Sequence, residues 1–303
     1  MDLPKPVRLK DFEPFARRSL PATVYEYYRS GAYPEQTLRD NEHAFQRYRL
    51  RPGPLRDVSI RDLRTTLLGH EIAFPVAIAP TALHRLAHSD SELATVRAAT
   101  SMGTGMVLST YTSTPMEDVA AAASPNSLLW AQLTAYTDEE AVRRMIRKAE
   151  QNGFKAIVVS LDAKISKRKA GADLIPPHVR FANFEGARSQ SFTTVERNAN
   201  PKLTWDQIDW LSNLTTLPIV LKGVMSGLNA REARKHRVAG LWVSNQGGRA
   251  LDGSLATGQE GVKKVLEIIR DEFSHALGLA ECASPSDISQ SLVVRDPYYT
   301  AKL

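Results

Sequence analysis

The segment LPIVLKGVMSGLNAREARKHRVAGLWVSN, residues 217–245, contains the pattern that decides the fold. Two short apolar runs, LPIVLKG and GLWVSN, flank a stretch whose apolar residues have helical spacing. Apolar strands that alternate with helices are typical of a parallel sheet covered on both faces. Lys222 lies at the end of the first run, and Ser244 and Asn245 end the second. The segment therefore predicts a β–α–β unit with polar residues at the carboxyl ends of its strands.

The same unit recurs along the chain. Apolar runs lie at 74–80, 105–110, 128–134, 155–162, 217–223 and 240–245, and helical patterns lie between them at 91–101, 116–123, 138–151, 204–213 and 228–236. Further helices are predicted at 11–20, 22–31, 36–48 and 259–273. Gly31 stands where a helix-ending glycine belongs. No linker rich in Pro, Gly or Ser divides the series, so we predict one domain, 1–303, with a helical segment at 1–50, six βα units at 72–257 and a helix and tail at 259–303.

Two α/β architectures compete for this pattern. A dinucleotide-binding sheet requires G-x-G-x-x-G after its first strand, whereas GTGM at 103–106 precedes a strand and has no third glycine. A (β/α)₈ barrel instead places its chemistry at the carboxyl ends of many strands. A lone Ser or Thr at a strand end is more often a helix N-cap, but six consecutive polar strand ends favour a barrel site. The prediction is an α/β fold of the TIM barrel type with two βα units missing, or about 60 residues at ~30 per unit.

Composition narrows the functional classes. The 303 residues are 43% hydrophobic and 24% charged, which is typical of a globular protein. No apolar run approaches the ~18 residues that span a bilayer, and the first residues lack the apolar region of a secretory signal. The single cysteine, Cys282, rules out a disulfide within the chain. A nucleic-acid function has only the net charge of +6 in its favour, and no metal-ligand spacing is present.

The segments VYEYYRSGA, FPVAIAPTA, LATVRAATSMGTGMVLST, LPIVLKG and VSNQGGRALD carry a resemblance. Together they are similar to the FMN-dependent 2-hydroxy-acid oxidases, and to the glycolate oxidase group in particular. The resemblance implies a TIM barrel, FMN as cofactor and a homo-oligomer, by family a tetramer. It also implies oxidation of a small (S)-2-hydroxy acid by oxygen, with a 2-oxo acid and hydrogen peroxide as products.

The resemblance also assigns roles to residues. Those implied to contact FMN are Pro80, Thr81, Ala82, Ser109, Gln132, Ser160, Lys222 and Ser244. The Lys222 cation would stabilise negative charge on the reduced ring. Tyr27 and Arg249 would bind the substrate carboxylate, for which the planar guanidinium suits a bidentate pair.

Several positions depart from the family pattern. Gln246 stands where the family has a histidine base, and Thr134 stands where the family has a substrate-binding tyrosine. Either Arg168 or Lys169 takes the place of a second substrate arginine, and the sequence leaves that choice open. A carboxamide does not titrate, so loss of the base predicts a rate about 10²–10⁴-fold lower.

The largest departure is the absence of the family's seventh and eighth strands between Thr257 and Gly258. Barrels of this type commonly bind phosphate at those strands, so weak FMN binding is predicted.

Two hypotheses for the function follow from these departures. One is an active FMN-dependent oxidase, and the other is a shortened, impaired family member that acts as a non-catalytic partner or an inert form.

The last three residues predict a cellular location. Ala301, Lys302 and Leu303 form a conservative variant of the S-K-L peroxisomal address. Together with a peroxide-producing family, this tripeptide predicts binding to the peroxisomal import receptor and a peroxisomal protein.

Overall fold

The computed structural model describes residues 5–31, 35–43, 48–50, 55, 57–134, 137–161, 180–184, 203–224, 227–249, 274, 280, 282–289 and 292–295. Its helices are α1 (Phe12–Ser19), α2 (Ala22–Arg29), α3 (Gln36–His43), α4 (Ser91–Ser101), α5 (Met116–Ala122), α6 (Glu139–Gln151), α7 (Trp205–Leu214) and α8 (Gly227–Ala233). Its strands are β1 (Tyr48–Leu50), β2 (Thr65–Leu67), β3 (His70–Ile72), β4 (Met106–Leu108), β5 (Leu129–Leu133), β6 (Ala156–Ser160), β7 (Ile219–Lys222), β8 (Gly240–Trp242) and β9 (Val293–Arg295). Among the described helices, none has both the length and the apolar character that a bilayer crossing requires.

A parallel sheet forms the centre of the molecule, as the sequence predicts. Its strand order is β4-β5-β6-β7-β8, and consecutive strands are joined by helices α5, α6, α7 and α8. The predicted first strand, 74–80, is largely absent. Only Ile78 of this segment pairs with the sheet, through a parallel bridge to Met106. Pro75 and Pro80 lack the N–H groups that a ladder needs, which explains why this strand is so short. Within the described residues the sheet is therefore open, with five strands and one bridging residue.

The helices between the strands begin close to their predicted first residues, and capping side chains explain two of these starts. Helices α4 to α7 lie within one residue of the predicted bounds. The Asp138 carboxylate accepts a hydrogen bond from the Ala141 amide at 3.0 Å and caps α6. Thr204 and Gln207 form a reciprocal capping box at the start of α7. These caps satisfy amides that have no partner inside the helix, and so they fix where each helix starts.

Alternate residues of the strands form two apolar layers. One layer packs the sheet against the helices, and its strand members are Met106, Leu108, Leu129, Ala131, Leu133, Ile157, Val159, Ile219 and Leu221. The other layer is on the opposite face and consists of Ile72, Val107, Leu128, Trp130, Ala156, Val158 and Val220, with Leu67, Leu68 and Trp242 against it. The β2–β3 hairpin covers the amino-terminal end of this inner face, since Leu68 Cδ2 lies 3.8 Å from a Cβ built at Gly240. The carboxyl-terminal end is left for polar residues.

Three observations correct or limit the sequence analysis. Gly31 follows α2 but does not have a positive φ, so it is no left-handed cap. A Cβ at this position would lie 3.0 Å from Leu38 Cβ and 3.1 Å from the Gly248 carbonyl oxygen, so close approach is what requires glycine. Strands β1 and β9 pair antiparallel, which the sequence did not indicate. The predicted helix 259–273 and the tripeptide 301–303 lie outside the described residues.

Candidate active site

A polar layer lies above the inner apolar layer, at the carboxyl ends of the strands. Side chains two residues apart in a strand point to the same face. The apolar inner-face residues Val107, Trp130, Val158, Val220 and Trp242 are each followed two residues later by a polar residue: Ser109, Gln132, Ser160, Lys222 and Ser244. Five residues that the sequence assigned to the site thus share one face of the sheet, at the carboxyl ends of its strands.

Gln132 is the centre of a hydrogen-bond network in this layer. Its Oε1 accepts from the Thr110 amide at 3.2 Å, and its Nε2 donates to Ser160 Oγ at 2.7 Å. Ser109 Oγ accepts from the Tyr111 amide at 3.1 Å. In these bonds both serine hydroxyls are acceptors, so each keeps its proton for donation to a ligand.

Lys222 and Thr134 are buried in the same region. Lys222 is opposite Ser160 in the ladder between β6 and β7, and only 7% of its surface is exposed. Among the described residues of the strand ends, Lys222 carries the single charge. The Thr134 amide donates to Thr110 Oγ1 at 3.0 Å, but its own Oγ1 is buried with no partner in the described part of the chain. A buried hydroxyl without a partner is available for a hydrogen bond to a ligand or a water molecule.

Helix α2 packs on the loop that follows the bridging residue Ile78. Tyr28 donates its hydroxyl to the carbonyl oxygens of Ala82 and Leu83, at 3.1 and 2.8 Å. Burial, followed by the proximity of Tyr27, raises the pKa of Tyr28 well above its usual value, so this phenol remains a donor. Tyr27 is buried against Leu83 and Phe181. The structure therefore brings the predicted site residue Tyr27 to the loop that contains the buried Pro80 and Thr81 and the half-buried Ala82.

The loop after β8 has a left-handed backbone. Gln246, Gly247 and Gly248 have φ values of 55°, 63° and 68°. Ser244 Oγ accepts from the Gln246 amide at 3.0 Å, and Asn245 Oδ1 accepts from the Gly248 amide at 3.2 Å. Gln246 is half-buried. The structure describes only the backbone of Arg249. The Arg249 side chain, Arg168 and Lys169 lie outside the described residues.

A buried carboxylate beside this site was missed in the sequence. Glu92, on α4, accepts from the amides of His84 and Ser113 at 3.2 and 3.0 Å and from the hydroxyls of Ser91, Ser113 and Thr114. Burial raises the pKa of Glu92, but attraction to His84 and these hydrogen bonds overcome that effect and lower the pKa to about 2. Burial lowers the pKa of His84, so its imidazole is neutral at pH 7 and the hydrogen bonds supply most of the stabilisation. Glu92 thereby ties the loop before α4 to the loop before α5.

The fold and the strand-end layer define an α/β protein of the barrel type with a polar ligand site at the carboxyl ends of its strands. A sequence model of the family described as FMN-dependent dehydrogenase matches residues 16–257. The chain therefore belongs to the FMN-dependent dehydrogenase family, and FMN is the cofactor of that family.

Named relatives agree with this assignment. The chain is 35% identical to 2-hydroxyacid oxidase 1 of Homo sapiens over 370 aligned positions, which cover 99% of this chain and 100% of that protein. It is 33% identical to glycolate oxidase of Spinacia oleracea over 354 positions, covering 95% of each. Among solved structures, it resembles mandelate oxidase with (S)-4-hydroxymandelic acid at a TM-score of 0.83 and 29% identity, covering 92% of this chain and 96% of that one.

The strand-end residues fit one part of FMN. The ring of a flavin has a planar face and a polar edge, which suit the hydroxyls of Ser109 and Ser160, the Gln132 amide and the Lys222 cation. The unpartnered Thr134 hydroxyl offers one further hydrogen bond. A phosphate requires several donors or cations, and Lys222 is the one cation whose side chain is described at the strand ends, while the donors there lie beside it on the face suited to the ring. The described residues thus fit the ring of FMN better than its phosphate.

Proposed function

We propose that this chain is an FMN-dependent (S)-2-hydroxy-acid oxidase of low activity, which keeps the part of the site that holds the flavin ring and lacks the part that holds the phosphate. The observation that carries the proposal is the polar layer of Ser109, Gln132, Ser160, Lys222 and Ser244 on one face of the sheet. We further propose that residues 1–303 form one domain. Glycolate-like acids are the proposed substrates.

The proposed loss of the phosphate part is supported by the alignment and by the sheet. Because 99% of a 303-residue chain spans 370 aligned positions, about 70 of those positions have no residue of this chain. Two βα units at ~30 residues each would account for most of them. Strand β8 is partly exposed, as expected if the strands that pair with it in a full barrel are missing.

Each proposed residue has a distinct task. Bound FMN supplies the acceptor for the hydride that leaves the substrate's α-carbon. Ser160 and Ser109 donate hydrogen bonds to the ring, while Lys222 stabilises negative charge there. Tyr27 and Arg249 hold the substrate carboxylate. Gln246 can hydrogen-bond the substrate hydroxyl but cannot take its proton, because a carboxamide has no basic lone pair at neutral pH.

A direct assay tests this function. Purified protein is incubated with saturating FMN and with glycolate, lactate or mandelate, and both hydrogen peroxide and the 2-oxo acid are measured. We expect slow but stoichiometric formation of both products, with slower turnover still in the Lys222→Met variant. Turnover at the rate of the human relative would refute the proposed impairment, and no turnover under any condition would refute the oxidase function.

The second candidate is a non-catalytic partner that assembles with copies of itself or with intact family members. The partly exposed strand β8 favours this candidate, because an open sheet edge pairs readily with another strand. Size-exclusion chromatography with light scattering, with and without an intact relative, distinguishes a mixed oligomer from a separate protein.

Peroxisomal import stays a prediction. It is tested with an N-terminally tagged chain that either keeps or lacks Ala301, Lys302 and Leu303. Import only when the tripeptide is present would confirm it, and the same cytosolic signal for both would show it to be wrong.

A further inference from the structure

We infer that Asn41, on helix α3, is a positioning residue that holds residue 246 in its left-handed backbone conformation. This inference rests on the proposed function in one respect only: that function gives residue 246 its contact with the substrate. It concerns a contact between two parts of the chain that are 204 residues apart.

The backbone around residue 246 is strained and needs external support. Gln246 carries a side chain, yet its φ is 55°, and both glycines that follow are also left-handed. Residues with a Cβ rarely adopt this conformation, and they persist in it when the surrounding structure fixes them. Contacts with neighbouring residues must therefore supply that support.

Part of the support comes from within the loop. The Gln246 amide donates to Ser244 Oγ at 3.0 Å, and the Gly248 amide donates to Asn245 Oδ1 at 3.2 Å. The second bond forms only when the Asn245 carboxamide turns its oxygen toward Gly248. A rotation of this group by 180° would place an NH₂ against the amide and break the turn.

Asn41 opposes a rotation of Asn245 alone. Asn245 Nδ2 donates to Asn41 Oδ1 at 2.6 Å, and Asn41 Nδ2 donates to Asn245 Oδ1 at 3.3 Å. The two carboxamides thus form a reciprocal pair, in which each is both donor and acceptor. Such a pair fixes the two carboxamides relative to each other, so that neither can rotate alone without breaking both bonds, and the Gly248 amide selects the state in which Asn245 Oδ1 accepts from it.

Close packing keeps α3 against the loop. A Cβ at Gly248 would lie 2.6 Å from the Leu38 nitrogen and 2.9 Å from Leu38 Cα, which no side chain permits. Gly31, just before α3, approaches the Gly248 carbonyl oxygen in the same way. Leu38 itself is buried. Since α3 and the loop are in backbone contact, the asparagine pair is set by rigid elements rather than by two mobile side chains.

Amide hydrogen exchange tests this role without flavin or substrate. The parent is compared with Asn41→Leu, Asn41→Asp and the control Gln36→Ala, which changes an exposed residue of the same helix. We expect Asn41→Leu to speed exchange of the Gly248 amide at least tenfold, while amides of β6 are unchanged. Asn41→Asp keeps an acceptor for Asn245 Nδ2 but loses the donor to Asn245 Oδ1, so its effect should be intermediate. The control should match the parent.

Two results would overturn the inference. Equal exchange at Gly248 in all four proteins would show that Asn41 does not hold the loop. An equal increase throughout the protein in Asn41→Leu would show that Asn41 contributes to global stability alone. Because exchange is read from the protein by itself, either result is independent of whether the chain oxidises a hydroxy acid.

Discussion

Strands β4 to β7 and strand β8 belong to one parallel sheet, but they differ in their surroundings. Every residue of β4, β6 and β7 is buried, and β5 is buried except at Gln132. In β8 no residue is fully buried, and Leu241 and the following Val243 are 40% and 74% exposed. Strands β5, β6 and β7 each have a paired strand on both sides, β4 has the bridging residue Ile78 beyond it, and β8 lies at the edge of the described sheet.

This difference in burial assigns different roles to the two regions. The buried strands bring Ser109, Gln132, Ser160 and Lys222 to one face of the sheet, where Gln132 donates a hydrogen bond to Ser160. The loop after β8 instead obtains its support from α3, through Asn41 and Leu38. We therefore expect changes to the buried strands to act on flavin-ring binding and stability, and changes near β8 to act on turnover.

The largest expected effect is at position 246. In a version of the protein in which two βα units are inserted between Thr257 and Gly258, Gln246→His should raise peroxide production about 10²–10⁴-fold, because an imidazole can take the substrate proton. In the parent chain the same substitution should change little, since we expect that without the two βα units the flavin phosphate is not held and the ring is not fixed against the substrate. Peroxide release with saturating FMN measures both. A large gain in the parent would show that the missing base, and not the missing strands, limits turnover.

A smaller effect is expected from Glu92→Gln. The pKa of Glu92 is about 2 in the folded state against 4.5 as the ordinary value. A lowered folded-state pKa contributes stability above pH 4.5 that is lost as the pH falls toward 2, and this shift corresponds to at most about 3 kcal/mol, because part of it comes from attraction to a protonated His84, which is neutral at pH 7. Urea unfolding should therefore show the variant to be less stable by that order at pH 7, with the difference shrinking below pH 4.

Glu139→Gln is the matched control, because its carboxylate is exposed on α6. It should change the free energy of unfolding little at any pH. A difference between Glu92→Gln and the parent that does not depend on pH would contradict the assignment of an ionised Glu92.

Lys222→Met should weaken flavin binding roughly tenfold, the contribution of one charge-assisted hydrogen bond at ~1.5 kcal/mol. Methionine is close to lysine in length and flexibility but has no charge. Lys155→Met, at the exposed start of the neighbouring strand, is the control. Quenching of flavin fluorescence measures the affinity. Equal affinity for both variants would show that Lys222 does not contribute to flavin binding.

Sequence patterns predicted the buried strands and their polar ends because alternation and strand ends are local properties. Gln132, Ser160 and Lys222 follow directly from them. Glu92 was missed because an acidic residue in the first turn of a helix is ordinarily explained by the helix dipole. Asn41 was missed because its partner, Asn245, is distant in the sequence and no local pattern marks the pair. The strand predicted at 74–80 is reduced to one bridging residue because of its prolines. A prediction from apolar runs does not take proline into account.

The central claim is that the chain holds the ring of FMN and not its phosphate. The most direct measurement compares the dissociation constants of FMN and riboflavin, which differ only in that phosphate, by quenching of flavin fluorescence. We expect weak binding of both, with affinities within about threefold of each other. If FMN binds 100-fold or more tightly than riboflavin, about 2.7 kcal/mol at 1.36 kcal/mol per factor of ten, the chain does possess a phosphate site and the account is wrong.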